Sequence, residues 1–118
     1  MEILLRPSVP EDVPVQRTLW SLSFGDDRAY INNFYTNYYR PDRVLVLEVE
    51  GAVRAMTAWF STVLSIPGKD QIFRAAYLYA VCVHPDWRGK GLAGKLLEGA
   101  GLYFRDRGIQ AVTTVPAS

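Results

Sequence analysis

The residues with the plainest chemical potential run from Val81 to Ala93, reading Val-Cys-Val-His-Pro-Asp-Trp-Arg-Gly-Lys-Gly-Leu-Ala. An apolar, strand-like run ends at Val83, His84-Pro85 turns the chain, and a helical pattern opens through Gly89 and Gly91. At a helix start about four backbone amides lack intrahelical partners. They point one way and the helix dipole adds positive potential, so a phosphate is the natural guest. Glycine at 89 and 91 removes the Cβ atoms that would hold a phosphate off the backbone. Arg88 and Lys90 add charge, although such residues often face water only. The plainer alternative is a strand-to-helix turn whose glycines serve tight packing. The setting favours phosphate. Basic residues interleave the glycines, and the helix goes on to carry Gly94, Gly99 and Gly101. Each costs about 1 kcal/mol relative to alanine in a helix interior, which implies close approach to a sheet or a ligand.

The kind of phosphate ligand narrows by spacing. A P-loop needs four residues between its first glycine and a Gly-Lys-Ser/Thr, and none is present. Gly89-x-Gly91-x-x-Gly94 has dinucleotide-fold spacing, but that motif follows the first strand of a parallel sheet and has an acidic residue roughly 20 positions on. Here the motif comes late, after an apparently antiparallel run, and position 114 is Thr.

The elements that must position this junction can be read along the chain. Glu2 to Arg6 reads as a short strand. Ser8 and Glu11 stand at capping-box spacing, but Pro14 belongs in a first helical turn, so Asp12 is the expected cap of a helix from Val13 to Phe24. Gly25 ends it, and Asp26 or Asp27 is expected to cap a second helix. There Tyr30, Phe34 and Tyr38 recur every fourth residue, with Ile31 and Tyr35 alongside. Three strands follow, Val44 to Val49, Val53 to Ile66 and Ile72 to Val83, joined at Glu50-Gly51 and at Pro67 to Asp70. Leu92, Leu96, Leu97, Ala100, Tyr103 and Phe104 then share a helix face, Gly108 supplies a left-handed cap, and Ile109 to Val115 is a last strand.

Composition sets bounds. The chain of 118 residues is 49% hydrophobic and 21% charged, with 13 basic and 12 acidic residues and a net charge of +1. That is one domain with a core of its own, and no single-sign field argues for nucleic acid or an anionic membrane. The single cysteine, Cys82, excludes a disulfide framework, and no metal is called for. The apolar start, Ile3 to Leu5, is too short for a signal peptide, and no run approaches the 18 apolar residues of a membrane span. A cytoplasmic location is the expectation.

Taken together, these residues resemble the GNAT-type N-acetyltransferases. Their coenzyme A motif, Arg/Gln-x-x-Gly-x-Gly/Ala, is matched by Arg88-x-x-Gly91-x-Ala93, with Val83-x-Pro85 before it. The opening Leu5-Arg6-Pro7-Ser8 and the order of elements are also similar, over nearly the whole chain. The resemblance implies an α+β fold: a mixed, mostly antiparallel sheet flanked by helices in three layers, truncated after the fifth strand, as a single partial domain over residues 1–118. It implies that Val81, Cys82 and Val83 pair through their backbone with the pantetheine arm of acetyl-CoA. Amides of Arg88, Gly89, Lys90, Gly91, Leu92 and Ala93 would hold the pyrophosphate, and an amine acceptor would take the acetyl group.

The family's acid and base do not carry over. Many members place a glutamate on the motif strand, where this chain reads Ala75-Ala76-Tyr77-Leu78-Tyr79, and a tyrosine acid beyond position 118. Tyr79 reaches the acceptor side as a candidate, His84 reads as an exposed turn residue, and Cys82 as a buried, inert thiol. The aromatic stripe reads mainly as core whose edge lines the acceptor pocket. The catalytic residues are therefore left unassigned. A last strand with an open edge suggests self-association through strand pairing. A non-catalytic coenzyme A-binding or interaction module is the alternative.

Overall fold

The structure, a computed structural model, describes residues 2–25 and 28–114. Five strands, β1 (Ile3–Pro7), β2 (Val44–Val49), β3 (Ala52–Ser65), β4 (Ile72–Val83) and β5 (Ala111–Thr114), form one sheet in the order β1-β2-β3-β4-β5. The first four are antiparallel neighbours, and β5 runs parallel to β4. Helices α1 (Val13–Phe24) and α2 (Arg28–Asn37) cover one face, and α3 (Leu92–Arg105) covers the other. This is the expected three-layer mixed sheet.

The strand β2 shows why the layers form. Nearly every residue in Val44–Val49 is buried, because both faces of the sheet are covered. Val44 and Val46 meet Leu19, Trp20, Ile31 and Phe34 on the α1/α2 side. Leu45 meets Trp59, Ala100 and Phe104, and Leu47 meets Leu92 and Leu96, on the α3 side. The connection to β3 is a two-residue loop in which Glu50 (φ 53°) and Gly51 (φ 83°) both take the left-handed conformation that suits the twist of a hairpin.

Several local expectations change. The Ser8 hydroxyl caps no helix; it bonds the Pro41 carbonyl at 2.8 Å and the Tyr39 hydroxyl at 2.9 Å. Asp12 does stand at the start of α1, but its carboxylate is engaged by Arg6 at 2.7 and 3.1 Å and by the Val9 amide at 2.9 Å. Arg6 also donates to Glu48 at 2.6 Å, tying β1, β2 and the entry to α1 together. The expected caps Asp26 and Asp27 lie outside the described residues. On α2 the buried face is Ile31 and Phe34, whereas Tyr30 and Tyr38 are 58% and 66% exposed, so the stripe is not all core. On α3, Leu97 is 43% exposed, which narrows the apolar face to Leu92, Leu96, Ala100 and Phe104. The helix closes through Gly108, with Ile109 N–H donating to the Phe104 carbonyl and Gly108 N–H to the Arg105 carbonyl.

Candidate functional site

Two departures from regular pairing prepare the site. In β4, Ala80 and Val81 together oppose Thr57 of β3: Met56 pairs Cys82 and Ala58 pairs Tyr79, leaving one residue between them on β3 and two on β4. Ala80 absorbs this bulge at φ 53°, an unusual conformation for a residue with a Cβ. The buried Thr57 hydroxyl steadies it by donating to the Tyr79 carbonyl at 3.2 Å. On the other side of β4, pairing with β5 runs from Ala75/Ala111 to Leu78/Thr114. From Tyr79 to Val83, β4 has no partner on that edge among the described residues.

The side chains around this open edge point away from it. Val81 and Val83 pack toward α3, and Cys82 is buried against the α1/α2 face, its thiol 3.2 Å from the Ala80 carbonyl. Val81, Cys82 and Val83 therefore present backbone at this edge and no reactive group. His84 is half-buried, with its Nδ1 accepting from the Asp86 amide at 3.1 Å, so it is the cap of the short turn Pro85–Trp87 and is less exposed than its place in a turn suggests.

The glycine segment follows at once. Gly89 (φ 80°) and Gly91 (φ 76°) are both left-handed, and Gly91 sits at the N-cap of α3. Their identity is required by backbone conformation; a Cβ at 89, 91 or 94 would meet nothing within 4 Å. Among the described residues, no backbone carbonyl accepts from the amides of Gly89, Lys90 or Gly91, and Leu92, Ala93 and Gly94 lie in the first turn, where amides have no intrahelical partner. No side chain caps the helix. The turn therefore presents a run of open amides to free space, which is the geometry an anionic group requires. Of the later glycines, only Gly99 makes a close approach: its Cβ would lie 3.1 Å from Leu5 Cδ2, whereas Gly94 and Gly101 face open space.

Charge gathers here from a place the sequence does not advertise. Arg54, the extra residue of a second bulge in β3 opposite Leu47 and Glu48, lays its guanidinium 4.9 Å from the Trp87 ring centre. Lys90 Nζ lies 5.9 Å from the same ring. The Arg54 Nε is buried without a hydrogen-bond partner among the described residues. Two cations thus flank the indole between β4 and α3. Arg54 lies more than thirty positions from the motif, so only tertiary pairing reveals it. Arg88 is exposed.

On the opposite face of the sheet an aromatic wall borders the bulge. Trp20, Phe24, Tyr30, Tyr79 and Ala80 line a half-open cavity of about 150 Å³. Trp20 and Phe34 rings lie 4.9 Å apart, Phe34 and Tyr79 5.8 Å, Phe60 and Tyr79 5.4 Å, and Phe60 stacks on Tyr77 at 4.8 Å. Burial first, and then the nearby Tyr30 phenol, push the Tyr79 hydroxyl up to about 12. Tyr30 belongs to the stripe the sequence displays; Trp20 and Phe24, four apart on α1, give no separate signal. A larger cavity of about 460 Å³ between α1 and α2, lined by Arg17, Thr18, Ser21, Leu22, Arg28 and Ile31, touches neither β4 nor α3. Among the described residues no cluster of three or more His, Cys, Asp or Glu side chains is placed to hold a metal, and no helix is long and apolar enough to cross a membrane.

This architecture has counterparts. A GCN5-related N-acetyltransferase from Anabaena variabilis superposes with a TM-score of 0.88 at 17% identity, over 99% of this chain and 29% of that one. The aminoglycoside acetyltransferase AAC(6′)-Iy, in complex with a bisubstrate analogue, gives 0.76 at 13% identity, over 99% and 81%. A predicted acetyltransferase from Clostridium acetobutylicum, with acetyl-CoA, gives 0.72 at 14% identity, over 99% and 82%. The chain thus spans under a third of the Anabaena protein and most of the other two, and at these identities the likeness is one of fold. No curated protein matches the sequence. Residues 5–118 match the family model described as the acetyltransferase (GNAT) domain. With its bulged, half-open β4 and glycine-led α3, the chain belongs to the GNAT acetyltransferase family.

Proposed function

We propose that the chain binds an acyl-coenzyme A, acetyl-CoA in the simplest case, and transfers the acyl group to a primary amine. The observation that carries this reading is the pairing of an uncapped α3 N-terminus with a β4 edge open from Tyr79 to Val83. Amides of Arg88, Gly89, Lys90, Gly91, Leu92 and Ala93 would hold the pyrophosphate. The pantetheine arm would run along the backbone of Val81, Cys82 and Val83 as a surrogate strand, bringing the thioester to the bulge at Ala80. Solved relatives in fold carry CoA or acetyl-CoA, which supports the choice of ligand.

The chemistry then follows from what lies beside the bulge. A neutral amine attacks the thioester carbonyl carbon, the C–N bond forms, and the C–S bond breaks with its electron pair on sulfur. A backbone amide directed at the carbonyl oxygen stabilises the charge that develops there. The proton lost by nitrogen and gained by sulfur needs a path. Tyr79 is a poor acid for it: its phenol titrates near 12, whereas a cysteine-type thiol titrates near ~8.5, and each unit of that gap costs about 1.4 kcal/mol. Tyr79 serves instead as a hydrogen-bond donor to the thioester end, and the proton passes from the new ammonium to the thiolate directly or through water. With no carboxylate among the described residues of the cavity, the amine must arrive already neutral. The rate below the amine's own pKa, near ~10 for an alkylamine, should therefore rise about tenfold per pH unit.

The absence of a lining carboxylate among the described residues favours one competitor, a coenzyme A-binding module without turnover. Release of free thiol from acetyl-CoA, followed across a panel of primary amines, separates the two. Amine-dependent release that climbs with pH supports transfer; thiol release no faster with amine than without it, in protein that binds CoA, supports the module.

A further inference from the structure

We infer that the cavity beside Ala80 is an aromatic box that takes a primary amine carried on an aromatic ring, an arylalkylamine, in preference to a polycation. The inference rests on the acyl-transfer reading for its reaction, but the box is recognisable by its own chemistry. Its lining is Trp20, Phe24, Tyr30, Tyr79 and Ala80. Trp20 meets Tyr30 edge-on at 6.1 Å, while Phe34 supports both Trp20 and Tyr79 from behind. A ring entering such a site gains offset-stacked and edge-to-face contacts on several sides. The volume of about 150 Å³ equals that of an apolar cavity known to hold a benzene ring. One ring and a short arm fit; a chain of amines or several sugar rings would extend into solvent.

Charge points the same way. A polycation is held by carboxylates, and none lines the box among the described residues. Both phenols there are neutral hydrogen-bond donors at physiological pH, Tyr79 especially. Farther along α1 and α2, Arg17 and Arg28 line the larger cavity and repel additional positive charge. Asp26 and Asp27, between Phe24 and Arg28 in the chain, lie outside the described residues, and the comparison with a polyamine measures whatever they contribute. A ring seated against Trp20 and Tyr30 leaves its aminoalkyl arm near Ala80, where the thioester would end. Neutral nitrogen then bonds to the acyl carbon, sulfur departs with the C–S pair, and the ammonium proton goes to it, giving the N-acyl arylalkylamine and free coenzyme A.

The test is calorimetric titration of the full chain with phenethylamine and, separately, spermidine, with and without saturating CoA, backed by thiol release from acetyl-CoA. Tyr30→Ala and Phe24→Ala remove exposed walls of the box, at sites where the wild-type side chains are 58% and 46% exposed, so folding is preserved. Phenethylamine should bind more tightly than spermidine, and each variant should weaken it by about fivefold while leaving CoA affinity unchanged. If CoA binds but spermidine matches phenethylamine, or neither variant affects phenethylamine, the aromatic box is overturned and the acyl-CoA reading survives. If phenethylamine binds in a Tyr30-dependent way while CoA does not bind at all, the box stands and the acyl-CoA reading falls.

Discussion

The two ends of the proposed reaction path are built from different materials. On the α3 side, the anion site consists of backbone: left-handed glycines at 89 and 91, an uncapped helix start, and the bare edge of β4. On the α1/α2 side, the wall consists of side chains, with Trp20 and Phe24 from α1, Tyr30 from α2 and Tyr79 from β4. A backbone site is indifferent to most substitutions and suits a ligand that stays the same. A wall of side chains can be repainted residue by residue and suits a ligand that varies. Within one fold, the invariant cosubstrate end and the adjustable acceptor end are thus separated by the thickness of the sheet.

Both ends depend on the same sandwich, and the largest expected effect shows it. Phe104 is fully buried against Trp59 at a ring separation of 4.8 Å and pins α3 to the sheet. Phe104→Ala should lose about 3 to 5 kcal/mol of stability in denaturant melts, and binding at both ends should fall together. Loss at one end alone would mean that the two regions fold independently.

A smaller effect is expected at the clamp beneath α1. Arg6 holds Asp12 and Glu48 at once, and its hydrogen bonds keep the Asp12 carboxyl below its ordinary range. Asp12→Asn should cost about 2 kcal/mol at neutral pH. Because the folded-state pKa is depressed, that stabilisation is complete above the unfolded value of about 3.9 and disappears as pH falls through the lower folded value. Melts of the two proteins should therefore converge in strong acid; a gap that stays constant with pH would remove the charge from the explanation.

Smaller still are two glycine substitutions on α3. Gly101→Ala adds a methyl to open space and should stabilise by about 0.5 to 1 kcal/mol. Gly99→Ala meets Leu5 at 3.1 Å, so overpacking should cancel that gain and leave a net cost of about 1 kcal/mol. Opposite signs in thermal melts support the close approach of α3 to β1, and equal shifts would deny it. The smallest expected effect is Tyr79→Phe. A hydrogen-bond donor that is not the proton source should cost only about threefold to tenfold in turnover and leave the pH profile of the rate unmoved. A lost alkaline limb would restore Tyr79 as the acid.

The same contrast explains what can be read from the sequence. Backbone sites announce themselves through glycine: Gly89, Gly91 and the strand–turn–helix pattern are visible in one dimension, as is the doubly buried run of Val44 to Val49. The bulge is not visible, since Ala80 takes a positive φ inside Tyr-Ala-Val-Cys-Val without any residue that favours it. Nor is Arg54, which reaches Trp87 only because a second bulge presents it. Periodicity puts Tyr30 and Tyr38 on one stripe, but it cannot say which edge meets β4. Tyr30 borders the cavity, and Tyr38, just past the end of α2, is exposed and has no part in it. Side-chain sites assembled from several elements depend on tertiary placement, which a linear pattern does not contain.

The anion site is tested most directly by titrating coenzyme A into the wild type and into Ala93→Glu, with heat as the readout. Ala93 is exposed in the first turn of α3, where a carboxylate suits the helix dipole, so the melting temperature should hold or rise. The same charge repels a bound diphosphate, and affinity should fall about tenfold or more. Identical affinity in a folded variant would contradict a diphosphate held on these amides.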